Sequence, residues 1–231
     1  MKLLGIVPAR AGSKGIANKN IRELGGKPLY RWVLDTAIKS QSLEKIIIST
    51  DIQEILETKH NNIVEVQKRP KELAQGESGS IKKVVKYVLS QLNDQPNYFA
   101  ILQPTSPFLR VIDIEMVCCA FVNPYIDSAQ TVCKIRHLDH AYNQRVVKNG
   151  WIEFAFPLRR NRTGKQAQPD HYSFGNLIIT KTDYFLRTND FFGKSVGIEI
   201  PWVFGIDIDY EDDLAFAERW WNYDRPTRTE I

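Results

Sequence analysis

The chain has 231 residues, 43% of them hydrophobic and 25% charged, with a formal net charge of +4. These ordinary values exclude a disordered or collagen-like polymer, and the length suits one substantial core with an appendage. The small positive excess suits an anionic ligand and plain solubility equally. Cys118, Cys119 and Cys133 form neither a disulfide framework nor a CxxC metal knot and read as reduced thiols.

In chain order, the apolar run Leu3 to Val7 reads as a buried strand. It empties into Pro8-Ala9-Arg10-Ala11-Gly12-Ser13-Lys14-Gly15, where backbone N–H groups and two cations converge as a polyphosphate site requires. The loop has neither the Walker A spacing nor the Gly-x-Gly-x-x-Gly spacing. A helix follows with Pro28 near its first turn and Leu29, Trp32, Val33 and Ala37 directed inward. Lys45 to Ser49 and Tyr98 to Leu102 are two more strands. Between them Ile81, Val84, Val85, Val88, Leu89 and Leu92 form one helical stripe, with Lys82, Lys83 and Lys86 toward water.

This alternation predicts βαβ units around a mostly parallel sheet. The loops after Val7, Ser49 and Leu102 then share one rim, bringing Arg10, Lys14, Asp51, Gln103 and Thr105 to one mouth. After Val132 the pattern changes to short alternating runs such as Trp151 to Phe156 and a polar stretch from Arg159 to Asp170, so residues 133–172 read as an insertion. Asn176 to Thr180 rejoins the sheet, and Leu214, Ala217, Trp220 and Trp221 mark a closing helix over Tyr210 to Asn222. No basic-then-apolar leader opens the sequence and no apolar stretch approaches the ~18 residues that cross a bilayer, so a cytoplasmic protein is expected.

On residue types alone several readings stay open. Arg10 and Lys14 suit a departing pyrophosphate or a solvated basic turn. Asp207 and Asp209 stand at alternate positions, which turns both carboxylates to one face as a seat for Mg²⁺, although Asp209 equally suits a helix N-cap. Gln103, Thr105 and Ser106 lie in a turn stiffened by Pro104 and Pro107. Asn20 offers a neutral donor and acceptor for a pyrimidine edge or closes a turn; Ser80 does the same or caps the helix that begins at Ile81. Arg159, Arg160, Arg162 and Lys165 form the densest basic run, suited to a carboxylate or to solvent. The four histidines show no metal-ligand spacing, and Ser13 sits in no nucleophile elbow.

Four motifs carry a resemblance. The Arg10 to Gly15 loop with Lys19-Asn20-Ile21 and Leu24 to Leu29, then Ser49-Thr50-Asp51, Gln103 to Pro107, and Ile206 to Asp209 with Asp213-Leu214 together resemble the acylneuraminate cytidylyltransferases, in that family's order. The resemblance implies one Rossmann-like α/β nucleotidyltransferase domain over residues 1–231, with a mostly parallel sheet flanked by helices and a small inserted dimerisation subdomain. It implies transfer of CMP from CTP to a nonulosonic acid such as sialic, legionaminic or pseudaminic acid, with release of pyrophosphate. It assigns Arg10, Lys14, Asp207 and Asp209 to catalysis, the two aspartates to Mg²⁺, and leaves Asp213 structural. Ala9, Arg10, Gly12, Ser13, Lys14, Asn20, Ser80 and Thr105 fall to the nucleotide, and Gln103, Ser106 and Arg162 to the sugar acid. A homodimer is implied, without nucleic-acid or membrane partners.

Two departures mark this chain. Arg110 stands one residue later than the arginine of the family's pattern and is not carried over. The family's second arginine before an Asn-Gly is replaced by Tyr172-Ser173-Phe174-Gly175-Asn176, which leaves Arg162 alone with the carboxylate or implies an acid other than ordinary sialic acid. The competing readings are a cytidylyltransferase for 3-deoxy-octulosonate or a phosphonate, and a non-catalytic nucleotide or nucleic-acid module using the 159–165 run.

Overall fold

The computed structural model describes residues 2–13, 15–74, 80–156 and 168–223. In chain order its helices and strands are β1 (Leu3–Ala9), β2 (Glu23–Leu24), β3 (Lys27–Pro28), α1 (Leu29–Lys39), β4 (Lys45–Thr50), α2 (Gln53–Glu57), β5 (Val64–Lys68), α3 (Ile81–Ser90), β6 (Tyr98–Leu102), α4 (Val111–Ala120), β7 (Ser128–Lys134), β8 (Arg145–Lys148), β9 (Trp151–Phe154), β10 (Tyr172–Lys181), α5 (Thr182–Thr188), β11 (Ser195–Glu199) and α6 (Glu211–Tyr223). Among the described residues no helix is long and apolar enough to cross a membrane.

Seven strands form one sheet in the order β11-β7-β10-β6-β1-β4-β5. β10 pairs antiparallel with both β6 and β7, and every other neighbouring pair is parallel. Both faces of the central strands are covered. Val7, Ile46, Ile48 and Leu102 pack on one side with Val33, Leu34 and Ala37 of α1 and Ile114 and Val117 of α4. Ile6, Ile47 and Ile101 pack on the other side with Val84, Val85 and Val88 of α3 and Phe185 of α5. Burial on two faces is why β1, β4 and β6 read as unbroken apolar runs. The edge strands β5 and β11 alternate exposed and half-buried residues, so neither carries such a run.

A third apolar cluster lies beyond the carboxyl rim of the sheet. It joins Ile16 from the loop after β1, Leu24 of β2, Phe108, Ile208, and Leu214 and Ala217 of α6, with Trp32, Trp220 and Trp221 against it. Trp32 thus packs beside Trp221, with ring centroids 4.4 Å apart, and not against the sheet as its helical position predicts. Gly25 is needed here because any Cβ would strike the Trp221 indole.

A buried polar clasp fixes the approach to Ile208. Asp113, with no exposed surface, accepts from the Arg110 guanidinium at 2.7 Å and from the Arg110 backbone N–H at 3.0 Å. Asn176 donates to Asp113 at 3.3 Å and to the Phe204 carbonyl at 2.9 Å, and Arg110 also lies over the Phe204 ring. Asn176 sits in a register shift of β10 against β7, where the Thr131 hydroxyl accepts the N–H groups of Asn176 and Leu177. The hydroxyl satisfies amides that the interrupted ladder cannot pair. Arg110 is therefore a scaffold residue.

The excursion between β7 and β10 is narrower than the sequence indicates, because Cys133 and Lys134 still belong to β7 and Tyr172 already belongs to β10. It carries its own antiparallel hairpin of β8 and β9. Replacing Ile208 by Ala should lower unfolding stability by about 3 kcal/mol, the usual cost of emptying a fully buried aliphatic site, as read from urea denaturation.

Candidate active site

A cavity with a volume of about 690 Å³ opens at the carboxyl rim of β1 and β6. Arg10, Ser13, Lys19, Asn20, Arg69 and Asp209 line one part of it; Ile178, Phe174, Phe191 and Phe192 line another, and Gln103 and Thr105 also face it. The glycine-containing loop is built on the end of β1. Gly12 adopts φ +70°, a left-handed conformation that side chains resist, and Asp51 at the end of β4 accepts the Ala11 N–H at 2.7 Å. Asn20 donates its side-chain amide to the Arg10 carbonyl at 2.7 Å, and Arg10 donates to the Ala74 carbonyl at 3.2 Å.

The acidic couplet arrives from the other end of the sequence and meets this loop directly. Ile208 is fully buried, while Asp207 and Asp209 on either side of it face water, as their alternation predicts. The Ile208 N–H donates to the Thr105 carbonyl at 2.8 Å, and the Thr105 hydroxyl hydrogen-bonds the Asp207 carboxylate. A Cβ on Gly15 would overlap the Asp209 carbonyl oxygen, so the two segments touch backbone to backbone. Lys19 Nζ lies 2.6 Å from Asp209 Oδ1.

The electrostatics follow from this crowding. Asp207 keeps solvent contact, yet the protein packed around it raises its pKa above the ordinary carboxylate value; the Asp209 charge raises it further, and the Thr105 hydrogen bond opposes both. Arg69 is 3% exposed, and burial lowers its pKa to about 10, which leaves it charged at neutral pH. Its guanidinium donates to the Ser49 carbonyl at 2.8 Å.

Arg10, Ser13, Asn20, Gln103, Thr105 and Asp209 all line the cavity, whereas Asp51, expected at the same mouth, does not and instead accepts the Ala11 N–H. Asp207 is bound to Thr105 at its edge. Asp213 accepts the N–H groups of Asp209 and Tyr210 at 3.0 and 2.8 Å and so takes the helix-capping part that Asp209 was equally suited to. Ala9, Gly12, Ser80 and Ser106 are not lining residues. Ala9 is buried in the strand end, and Gly12 supplies the turn. Ser80 is the exposed N-cap residue of α3, without a side-chain cap bond. Ser106 is wholly enclosed in its turn, so a sugar acid in this cavity does not reach its hydroxyl. Lys14, Arg159, Arg160, Arg162 and Lys165 lie outside the described residues.

Three features escaped the sequence reading. Arg69 follows a half-exposed strand and carries no motif. Lys19 was visible only as part of a signature, because its partner lies 190 positions away. Phe174, Phe191 and Phe192 belong to no periodic stripe.

Comparison with known proteins agrees with this geometry. Residues 4–188 match the family model described as cytidylyltransferase. The chain belongs to that family. It is 28% identical over 218 residues to an N-acylneuraminate cytidylyltransferase of Escherichia coli O18:K1:H7, covering 94% of this chain and 51% of that protein. It is 24% identical over 223 residues to one of Oncorhynchus mykiss, covering 94% and 50%. The chain thus spans about half the length of these curated relatives. Among solved structures it is similar in fold to a CMP:2-keto-3-deoxy-manno-octonic acid synthetase complexed with CTP, with a TM-score of 0.69 at 15% identity, covering 96% and 99% of the two chains. A 4-diphosphocytidyl-2C-methyl-D-erythritol synthase from Anaerococcus prevotii gives a TM-score of 0.62 at 16% identity, covering 96% and 98%. These likenesses establish the Rossmann-like nucleotidyltransferase fold.

Two outcomes test the geometry. Gly15→Ala should keep the fold by circular dichroism yet lose on the order of a hundredfold in kcat/KM in a pyrophosphate-release assay, because the Asp209 backbone must retreat from the loop. For Asp207, a raised folded-state pKa means that its contribution favours folding most when protonated and is lost as pH rises through that pKa. Asp207→Asn should therefore raise the thermal midpoint at neutral pH, with the gain vanishing below the ordinary carboxylate pKa, while turnover falls.

Proposed function

We propose that this chain transfers CMP from CTP to a nonulosonic acid and releases pyrophosphate, with Mg²⁺ and as a homodimer. The observation that carries the reading is the direct packing of the cationic loop on the acidic couplet across Gly15 and Asp209, within one cavity. The anomeric hydroxyl of the acid attacks the α-phosphorus and gives its proton to solvent water, the P–O bond from the α-phosphorus to the oxygen bridging to the β-phosphate breaks, and pyrophosphate departs with the electron pair. Arg10, Arg69 and Lys14 offset charge on the phosphates, Ser13 and the loop amides orient them, and Asn20 keeps the loop closed around them. Catalysis then rests on alignment and electrostatics.

Asp207 and Asp209 fit a magnesium ion. They are two carboxylates turned to one face, and burial, with a smaller contribution from the Asp209 charge, raises the pKa of Asp207. No group of three or more His, Cys, Asp or Glu comes together among the described residues, which suits an ion that completes its sphere with phosphate and water. When bound, it supplies charge stabilisation to the phosphates.

The aromatic wall supports an N-acylated acid over 3-deoxy-octulosonate, which carries no acyl group. Phe174, Phe191 and Phe192 offer no hydrogen bonds to a hydroxyl-rich tail, whereas an N-acyl or methyl group loses nothing by lying on them. Gln103 is assigned to the polar edge of that acid and Arg162 to its carboxylate. The dimer reading rests on the hairpin of β8 and β9, every residue of which is exposed. Trp151 is 78% and Ile152 68% exposed, more apolar surface than an isolated hairpin keeps in water.

A pyrophosphate-release screen of four nucleoside triphosphates against N-acetylneuraminic, legionaminic, pseudaminic and octulosonic acids tests the assignment. Turnover is expected with CTP and an acylated acid, and Asp209→Ala should cut kcat by roughly a hundredfold or more. No release with CTP and any of the four acids, or equal use of all four nucleotides, would refute it.

A further inference from the structure

Among the described residues that line the cavity, Lys19 is the one cation for which the transfer reaction above names no task. Its side chain is only 13% exposed, whereas that of Asp209 is 58% exposed. In the 2.6 Å pair the lysine side chain is thus the more buried partner and the aspartate side chain the more open to solvent. The backbone under Lys19 is pinned. Asn18 holds a left-handed conformation at φ 53°, its carbonyl accepts the N–H groups of Ile21 and Arg22 at 3.0 and 3.1 Å, and Asn20 is tied to the Arg10 carbonyl. Only the Lys19 side chain, with its four methylenes and three donors, is free to change partner.

Asp209 is also one of the two carboxylates assigned to the divalent ion. A metal and an ammonium carry the same sign and compete for it. Were the carboxylate surrendered to a metal alone, Lys19, its side chain largely buried, would lose its ion-pair partner in a cavity that Arg10 and Arg69 also line, which is costly. With a triphosphate in the same cavity, Lys19 has a second anionic oxygen to turn to, in a charge-assisted hydrogen bond as good as the first. We propose that Lys19 is a positioning residue that reserves Asp209 as its counter-ion and yields it only when metal and polyphosphate enter together. The exchange makes and breaks no covalent bond, and every charge keeps a partner throughout. It rests on the reading of this cavity as a magnesium–CTP site.

Binding of Mn²⁺ as a paramagnetic stand-in, followed by electron paramagnetic resonance with and without α,β-methylene-CTP, tests the exchange independently of turnover. Lys19→Met should raise the affinity for Mn²⁺ alone roughly tenfold, within the usual range of coupling between two sites. By reciprocity it should shrink the gain on adding nucleotide, and Lys19→Arg should keep the wild-type pattern. If Lys19→Met fails to fold by circular dichroism, Lys19→Gln carries the same expectation. Equal affinity for Mn²⁺ alone in the wild type and the uncharged variant would overturn the exchange and leave the nucleotide site standing. Absence of nucleotide-dependent Mn²⁺ binding in the wild type would instead remove the site reading on which the exchange rests.

Discussion

Ile208 is the pivot of this molecule. One aliphatic side chain, buried with Ile16, Leu24, Phe108 and Leu214, draws a segment from the end of the chain under a loop from its beginning. An extended backbone turns successive side chains to opposite faces, so burying Ile208 obliges Asp207 and Asp209 to point the other way, into the mouth where Arg10 and Lys19 lie. The apolar term, about 1.5 to 3 kcal/mol for a fully buried aliphatic side chain, is thereby converted into the placement of two charges. Gly15 sets how close the two segments come, since only a residue without Cβ admits the Asp209 carbonyl there.

The buried clasp of Arg110, Asp113, Asn176 and Thr131 acts one step upstream. It holds the Phe204 carbonyl, and so directs the backbone that leads to Ile208. Every member has a partner, which is the condition under which a buried polar network rigidifies rather than weakens a core. The interruption of β10 that makes room for Asn176 lies where the tightly buried part of that strand begins, and Phe174, just before it, reaches the cavity wall. Scaffold and specificity surface thus derive from one local irregularity.

The cavity is divided in chemistry as in origin. Its cationic part comes from loops at the ends of parallel strands, where backbone donors and basic side chains gather around an anion. Its aromatic part comes from the one antiparallel strand and the turn after α5. The raised pKa of Asp207 shows that this carboxylate is placed where burial makes its charge costly to the fold.

Much was legible without coordinates. β1, β4 and β6, the stripe of α3 and the onset of α1 are local patterns whose periods of 2.0 and 3.6 are written into neighbouring residues. The alternation of Asp207, Ile208 and Asp209 and the convergence of Gly12 with Arg10 are equally local. Arg69, the Lys19–Asp209 pair, the enclosure of Ser106 and the aromatic wall were not legible, because each depends on which distant segment lies opposite. The sequence by itself determined the parallel sheet, the rim at which ligands gather, and the types of residue that reach it, since these follow from backbone geometry and hydrophobic periodicity over a few residues. Tertiary structure alone decided which of those residues face the cavity, which merely cap or clasp, and which charge is paired with which, since those outcomes depend on distances between segments far apart in the chain.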